Sequence, residues 1–243
     1  MPNAYLFKMM SCEDRFLYII LESPDSGGFE FLYNGLKDFN DQGFHFLLPE
    51  STEHKIDPDQ KKNVSIWSDK ESTNLSFNLN ENEENTDLFL FFSPFINLSD
   101  QFESLLSQTD KPSKIEIGRI ISFLDANILP EISPQFQLWL DAVAHFSDVL
   151  CFSNRTNQNG KAVKMIIDRY ENMRYPMETY LISQNKKGKL LNILNPTARR
   201  ITHIFDSPDL LDSEETPQND PYLKKLANGK REKGIPVPFP LQF

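Results

Sequence analysis

The stretch FLYIILESPDSGGFEFLYNGLKDF, residues 16–39, decides how the chain is read. Its opening run FLYIIL is too short for an independent helix and has the length and apolarity of a strand buried on both faces. Pro24, Asp25, Ser26, Gly27 and Gly28 then break any regular pattern. Beyond them Phe29, Leu32, Tyr33 and Leu36 recur every three or four residues, which is one side of a helix. A strand, a loop with two glycines and an amphipathic helix therefore follow one another.

Outward from this unit the same alternation repeats. GFHFLL, 43–48, reads as a second strand. Residues 49–87 turn polar, with HKIDPDQKKN and NLNENEENTD framing short pieces, and predict a long surface excursion with edge strands at 64–67 and 75–79. LFLFF, 88–92, is an apolar run that stops at Ser93-Pro94, and a helix is expected around 102–106. A strand over 115–124, a helix over 134–146, a strand over 148–153, a helix over 161–173 and a strand over 178–183 complete the series. Such alternation predicts a three-layer, doubly wound α/β fold with a mostly parallel sheet, in which ligands meet the carboxyl ends of the strands.

The ends of the chain carry weaker signals. Residues 4–10 read as a short strand or an arm, and 190–194 and 201–205 as two more strands flanking the Asn195-Pro196 turn. From 206 the text is acidic and proline-rich, so we divide the chain into an α/β domain, 1–205, and an extended tail, 206–243. The tail is expected to hold one short helix near 222–226. Its apolar end, 235–243, has the character of a piece that docks either on the parent domain or on a partner.

Composition narrows the function classes. The formal charge of −10 argues against a nucleic-acid or anionic-membrane surface. The basic clusters Lys186, Lys187, Lys189 and Arg199, Arg200 read as a solvated loop and a strand edge. Cys12 and Cys151 are the two cysteines, so a disulfide framework is not expected and a cytoplasmic setting is. No run approaches the ~20 apolar residues of a membrane span. His45, His54, His145 and His203 are far apart and neither cysteine has a partner at ligand spacing, so no metal or cofactor is expected. Cys151 sits inside an apolar strand, the setting of an inert thiol.

The first loop holds the site question. In nucleotide-binding α/β domains a strand, glycine loop and helix leave backbone N–H groups pointing at phosphate. The pattern G-x-x-x-x-G-K-[ST] laid on 23–30 puts Ser23 at the first glycine, Gly28 at the second, Phe29 at the lysine and Glu30 at the hydroxyl. A carboxylate where a polyphosphate approaches repels it. The position is right and the chemistry is missing.

The order of these pieces resembles the CobW-type GTPases, metal-chaperone and cobalamin-synthesis proteins of the phosphate-loop class. SPDSGGFEFLYNGLK, 23–37, lies without a gap over the family's GFLGAGKTTLLNRLL and keeps Gly28, Leu32, Asn34 and Leu36. LFLFFSPFINLSD, 88–100, is similar to the family strand LIETSGLADP in hydrophobicity, with Phe92 at the acid and Phe95 at the glycine. FLDA, 123–126, matches VVDA through Asp125 and Ala126. FSDVLCFSNRTN, 146–157, resembles the strand that carries the guanine-reading N-K-x-D: Asn154 is kept, Arg155 replaces lysine and Asn157 replaces aspartate. The family's C-x-C-C metal motif is absent after Gly43. Its Asn-Pro turn corresponds to Tyr175-Pro176 by spacing or to Asn195-Pro196 by letters, and spacing favours the former.

What the resemblance implies is a P-loop NTPase-like fold with a degenerate nucleotide site at Ser23, Gly27, Gly28, Phe29, Glu30, Asp125, Asn154, Arg155 and Asn157. The missing lysine, hydroxyl and second-strand acid argue against hydrolysis. The base site fails as well, since Asn157 presents a donor where guanine needs a second acceptor. A noncatalytic scaffold with a protein partner or a second copy is the expectation. The alternatives are a nucleotide- or metal-binding relative with an altered site, or an enzyme of another class using Asp125, Asn154 and Arg155 in the strand-end crevice. Each residue also has a plainer role: the glycines make a tight turn, Asp125 caps a turn and Asn154 ties loops together. A crevice plugged by Phe29, Phe92 and Phe95 would dismiss the enzyme reading.

Overall fold

The computed structural model describes residues 15–37, 43–51, 56, 58–70, 75–77, 79, 86–109, 115–183, 189–206 and 219–239. Cys12, His54, Lys186, Lys187, the segment 4–10 and residues 240–243 lie outside them.

Seven strands form one sheet: β1 (Arg15–Glu22), β2 (Gly43–Pro49), β3 (Val64–Trp67), β4 (Thr86–Phe91), β5 (Ile115–Asp125), β6 (Val149–Ser153) and β7 (Glu178–Leu181). Their order is β3-β2-β4-β1-β5-β6-β7 and every neighbouring pair is parallel. β1 is the central strand. Leu17, Ile19 and Leu21 enter the core on one face and Phe16, Tyr18 and Ile20 the core on the other, so neither face can stay uncovered. The helices α1 (Gly28–Leu36) and α5 (Leu190–Ile193) contribute to the second core, and α2 (Leu98–Thr109), α3 (Pro134–Phe146) and α4 (Gly160–Asn172) to the first. The fold is a three-layer, doubly wound α/β sandwich.

Local chemistry sets where elements begin. Ser133 caps α3 by accepting the Phe136 N–H, with Pro134 at the first helical position, where its missing N–H is no loss. Asn97 does the same for α2 through the Ser99 N–H. Gly118 lies at a register shift between β1 and β5, where a β-carbon would stand 3.0 Å from the Tyr18 ring.

Some expected elements take another form. Residues 190–194 were expected to be a strand and hold the single helical turn α5 instead. The carbonyls of Asn192 and Ile193 are taken by the guanidinium of Arg119, a fully buried side chain. Residues 201–205 are not a strand either, because the Ile201 and Thr202 N–H groups donate to the His145 carbonyl at the end of α3 rather than to a sheet neighbour. Leu75 and Phe77 are buried beside Trp67 without strand pairing, and Gln108 takes up their backbone groups. The short helix near 222–226 is a turn closed by an antiparallel bridge from Lys225 to Arg231.

The described part of the tail, 219–239, packs on the α2–α3 face, with Tyr222, Leu223 and Ile235 in the first core. At its start Asp220 bonds His145 at 2.8 Å and Thr202 at 2.6 Å. Burial alone would raise the Asp220 carboxyl, but the bonds from His145, Thr202 and the Tyr222 N–H outweigh it and hold the group below its usual range.

At the amino ends of β1 and β4 the balance is reversed. Burial pushes the Asp87 carboxyl up to about 6, although the Phe16 N–H and the nearby Arg15 guanidinium favour its charged form. Between its ordinary value near 3.8 and about 6 the folded chain holds this proton more tightly than the unfolded chain does. Stability therefore falls as pH rises through that window. We predict that Asp87→Asn stabilises the protein by on the order of 2 kcal/mol at neutral pH and that the gain vanishes near pH 4. Chemical denaturation across pH measures it, and a gain independent of pH contradicts the assignment.

Candidate functional site

The chain leaves β1 to one side of the sheet and β5 to the other, so the crevice of this fold lies at the carboxyl ends of those two strands. Ser23, in the loop after β1, and Asp125, the last residue of β5, stand there. The Ser23 N–H donates to the Phe123 carbonyl at 2.9 Å, and the Ser23 hydroxyl accepts the Asp125 N–H at 2.9 Å. These two bonds clamp the loop ends together and bury Ser23 completely.

The loop then closes on its own groups. The Ser26 N–H returns to the Ser23 carbonyl at 3.2 Å, and the Ser26 hydroxyl donates to the Glu22 carboxylate at 3.0 Å. The same hydroxyl accepts the Gly28 N–H at 3.4 Å. Gly27, the residue before the helix, has φ +68°, a conformation that costs any other residue. Gly28 is required for another reason: a β-carbon there would lie 2.7 Å from the Phe123 ring and 3.1 Å from a Glu22 oxygen. Both glycines are thus explained by the turn and by helix–sheet contact.

Phe29 follows the helix inward. It is 6% exposed and sits edge-on to Phe46 at 5.2 Å and to Phe91 at 6.1 Å. Phe92 goes to the opposite core, against Phe77 and Phe102, while Phe95 is half-buried. The two buried rings therefore leave the crevice on opposite faces of the sheet instead of plugging it. Glu30 is partly exposed in the first turn of α1, where a carboxylate is favoured by the helix dipole.

On the other side of the crevice Asp125 caps a 3-10 turn, Ala126–Glu131. Its Oδ1 accepts the Asn127 N–H at 3.0 Å and the Asn154 side-chain amide at 3.1 Å. Asn154, with φ +50°, also donates to the Asp25 carbonyl at 3.3 Å and so reaches across to the first loop. The structure brings Ser23, Asp125 and Asn154 into one web beside Gly27 and Gly28. Arg155 and Asn157 are exposed, and among the described residues neither bonds to the loop after β1.

Sequence reasoning missed the residue that holds this web from beneath. The amide of Asn159, 2% exposed, donates to the Asn127 side chain at 3.0 Å and to the Asn154 carbonyl at 3.1 Å, and its oxygen accepts the Thr156 N–H at 2.8 Å. Three asparagines within 154–159 were the available signal. Asp69, at the end of β3, was also missed. It is 7% exposed and accepts the Ser51 N–H, while its second oxygen and the Ser51 hydroxyl have no hydrogen-bond partner among the described residues. Among the described residues no three His, Cys, Asp or Glu side chains gather to hold a metal ion. Burial pushes the Cys151 thiol up, which keeps it protonated. No described helix is long and apolar enough to cross a membrane.

The fold and this crevice define a doubly wound α/β protein with a glycine-containing turn at its topological switch point. No protein-family model matches the sequence, and no curated protein matches it. Among solved structures the chain is similar to the Zn(II)-bound YjiA GTPase from E. coli, at 13% identity and a TM-score of 0.48 over 77% of this chain. It spans 62% of that chain's length.

If Gly28 serves helix–sheet contact, Gly28→Ala destabilises the protein by about 1–3 kcal/mol through overpacking against Phe123. Phe123→Leu in the same chain is expected to return much of that loss. Equilibrium unfolding of the two variants checks this, and a Gly28→Ala protein as stable as the parent refutes it.

Proposed function

We propose that the chain is a noncatalytic, GTPase-like scaffold with an overwritten nucleotide site that works through protein contacts. The observation that carries this reading is the seating of Phe29 in the aromatic core, with the Glu30 carboxylate as the next side chain. A phosphate-binding turn of this kind sets a cation and a hydroxyl at those two positions. Losing a single preorganised donor costs about 3–4 kcal/mol in rate. Two are replaced here.

Asp125 weighs against the reading of the crevice as the site of some other enzyme. Its Oδ1 caps one loop through the Asn127 N–H and takes the side-chain amide of Asn154 from another, which is a structural use of this carboxylate oxygen.

Isothermal titration of the full chain with GTP and ATP, each with magnesium, tests the proposal. No saturable heat is expected up to about millimolar nucleotide, where binding is worth only about 4 kcal/mol. A micromolar dissociation constant for either nucleotide overturns it.

A further inference from the structure

Residues 219–239 form a strap with a structure of its own. A turn at Gly229, φ +79°, folds Leu226 back on Lys230, and the Lys225–Arg231 bridge closes the loop. Beyond the turn comes Ile235-Pro236-Val237-Pro238-Phe239, whose alternating prolines favour an extended backbone.

Beside the burial of Tyr222, Leu223 and Ile235 and the Asp220–His145 bond, three further kinds of contact seat it on α2 and α3. Arg231 bonds Asp100 at 2.5 Å and both oxygens of Glu103 at 2.6 and 3.0 Å, and Lys225 adds a bond to Glu103 at 3.0 Å. The Asn97 side-chain amide donates to the Ile235 carbonyl at 2.7 Å and the Ser99 hydroxyl to the Tyr222 carbonyl at 3.0 Å. Phe239 stands edge-on to Phe136 at 5.7 Å and to Trp139 at 5.2 Å.

We propose that the face of α2 and α3 under the strap is a peptide-binding groove, that the strap is its resident ligand in cis, and that its partner in trans is a basic, proline-containing segment of another protein. Charge complementarity identifies the occupant. The strap carries Lys224, Lys225, Lys230, Arg231 and Lys233 against Asp220 and Glu232 in a chain of net charge −10, and two of its cations, Lys225 and Arg231, meet the carboxylates of Asp100 and Glu103 on the groove. Asn97 and Ser99 read main-chain carbonyls, which any peptide presents. The Phe136–Trp139 floor takes a ring held out by a stiff proline backbone, the mode by which aromatic grooves receive such segments.

The inference rests on the scaffold reading and names the surface through which the scaffold acts. The strap competes with the partner. The strap belongs to the same chain as the face it covers, so its binding in cis is intramolecular and a partner segment competes at a disadvantage. A partner segment therefore binds well only when the grip in cis is loosened.

The test uses a labelled peptide of residues 219–239 titrated into the full chain and into full-length Arg231→Glu, read by fluorescence anisotropy. Arg231→Glu is expected to bind the peptide about tenfold tighter than the parent, because its own strap has lost the charged anchor. Binding is expected to weaken between about 0.05 and 0.5 M salt, as partly exposed ion pairs are screened. Equal affinity for both chains, or no binding to either, overturns the groove. Hydrogen exchange on the unaltered chain gives a readout that needs no variant: excess peptide must speed exchange in 222–235 and leave α2 protected, and unchanged exchange overturns the proposal. Concentration-dependent dimerisation of the parent chain with the strap exchanged overturns the partner in favour of a second copy. Micromolar nucleotide binding would sink the scaffold reading and leave a positive peptide result standing, whereas a silent peptide with silent nucleotides sinks the groove alone.

Discussion

Phe29 enters the aromatic cluster edge-on to Phe46 and Phe91, and this one insertion fixes where α1 begins. The preceding residue must then lie against the Phe123 ring, which leaves no room for a β-carbon and makes Gly28 obligatory. With the helix start drawn onto the sheet, the loop behind it is short of length. It turns through left-handed conformations at Asp25 and Gly27 and satisfies its polar groups from Ser23, Glu22 and Ser26. Full burial of one such ring is worth roughly 1.5–3 kcal/mol. The geometry of the crevice thus follows from packing, and the crevice in turn organises the loops after β5 and β6 through Asp125 and Asn154.

The elements most legible in the sequence were those whose signal is local. β1 announced itself by an unbroken apolar run, and a strand buried on both faces can only be central in a covered parallel sheet. The starts of α3 and α4 lay within two residues of expectation because capping and periodicity are short-range properties. The site was legible in part. Ser23, Asp125 and Asn154 were singled out and do meet, since strand ends converge in this topology. Arg155 and Asn157 were chosen by their place in a motif, and the exposed loop that holds them keeps them out of the web.

Where the reading failed, the missing information was a buried charge far away in sequence. Arg119 lies on β5, yet it donates to the carbonyls of Asn192, Ile193 and Thr197 and to the Glu178 carboxylate. Asp148, fully buried before β6, accepts the N–H groups of Ile120 and Arg199 and pairs with Arg200. These two side chains hold 190–200 by polar contacts, so a segment with strand-like letters never joins the sheet. Removing either partner of such a pair would strand an uncompensated charge, at a cost of about 3–5 kcal/mol. Apolar periodicity carries no trace of either contact.

The electrostatics of the crevice follow from the same packing. Glu22, Asp25, Glu30 and Asp125 all lie on or next to the turn after β1, and Arg155, although its neighbour Asn154 reaches the Asp25 carbonyl, makes no bond to that turn among the described residues. Two like charges about 4 Å apart repel by about 4 kcal/mol where the effective dielectric is near 20. A polyphosphate at this turn would meet several such terms, and none of residues 23–30 is a lysine. Exchanging Phe29 for lysine would not by itself reverse this, because the helix directs that side chain toward Phe46 and Phe91 and the ammonium would be buried among rings rather than delivered to the turn. The aromatic seat carries the side chain of residue 29 into the core and the carboxylates stay around the turn, so restoring a cation at position 29 would leave that anionic rim in place.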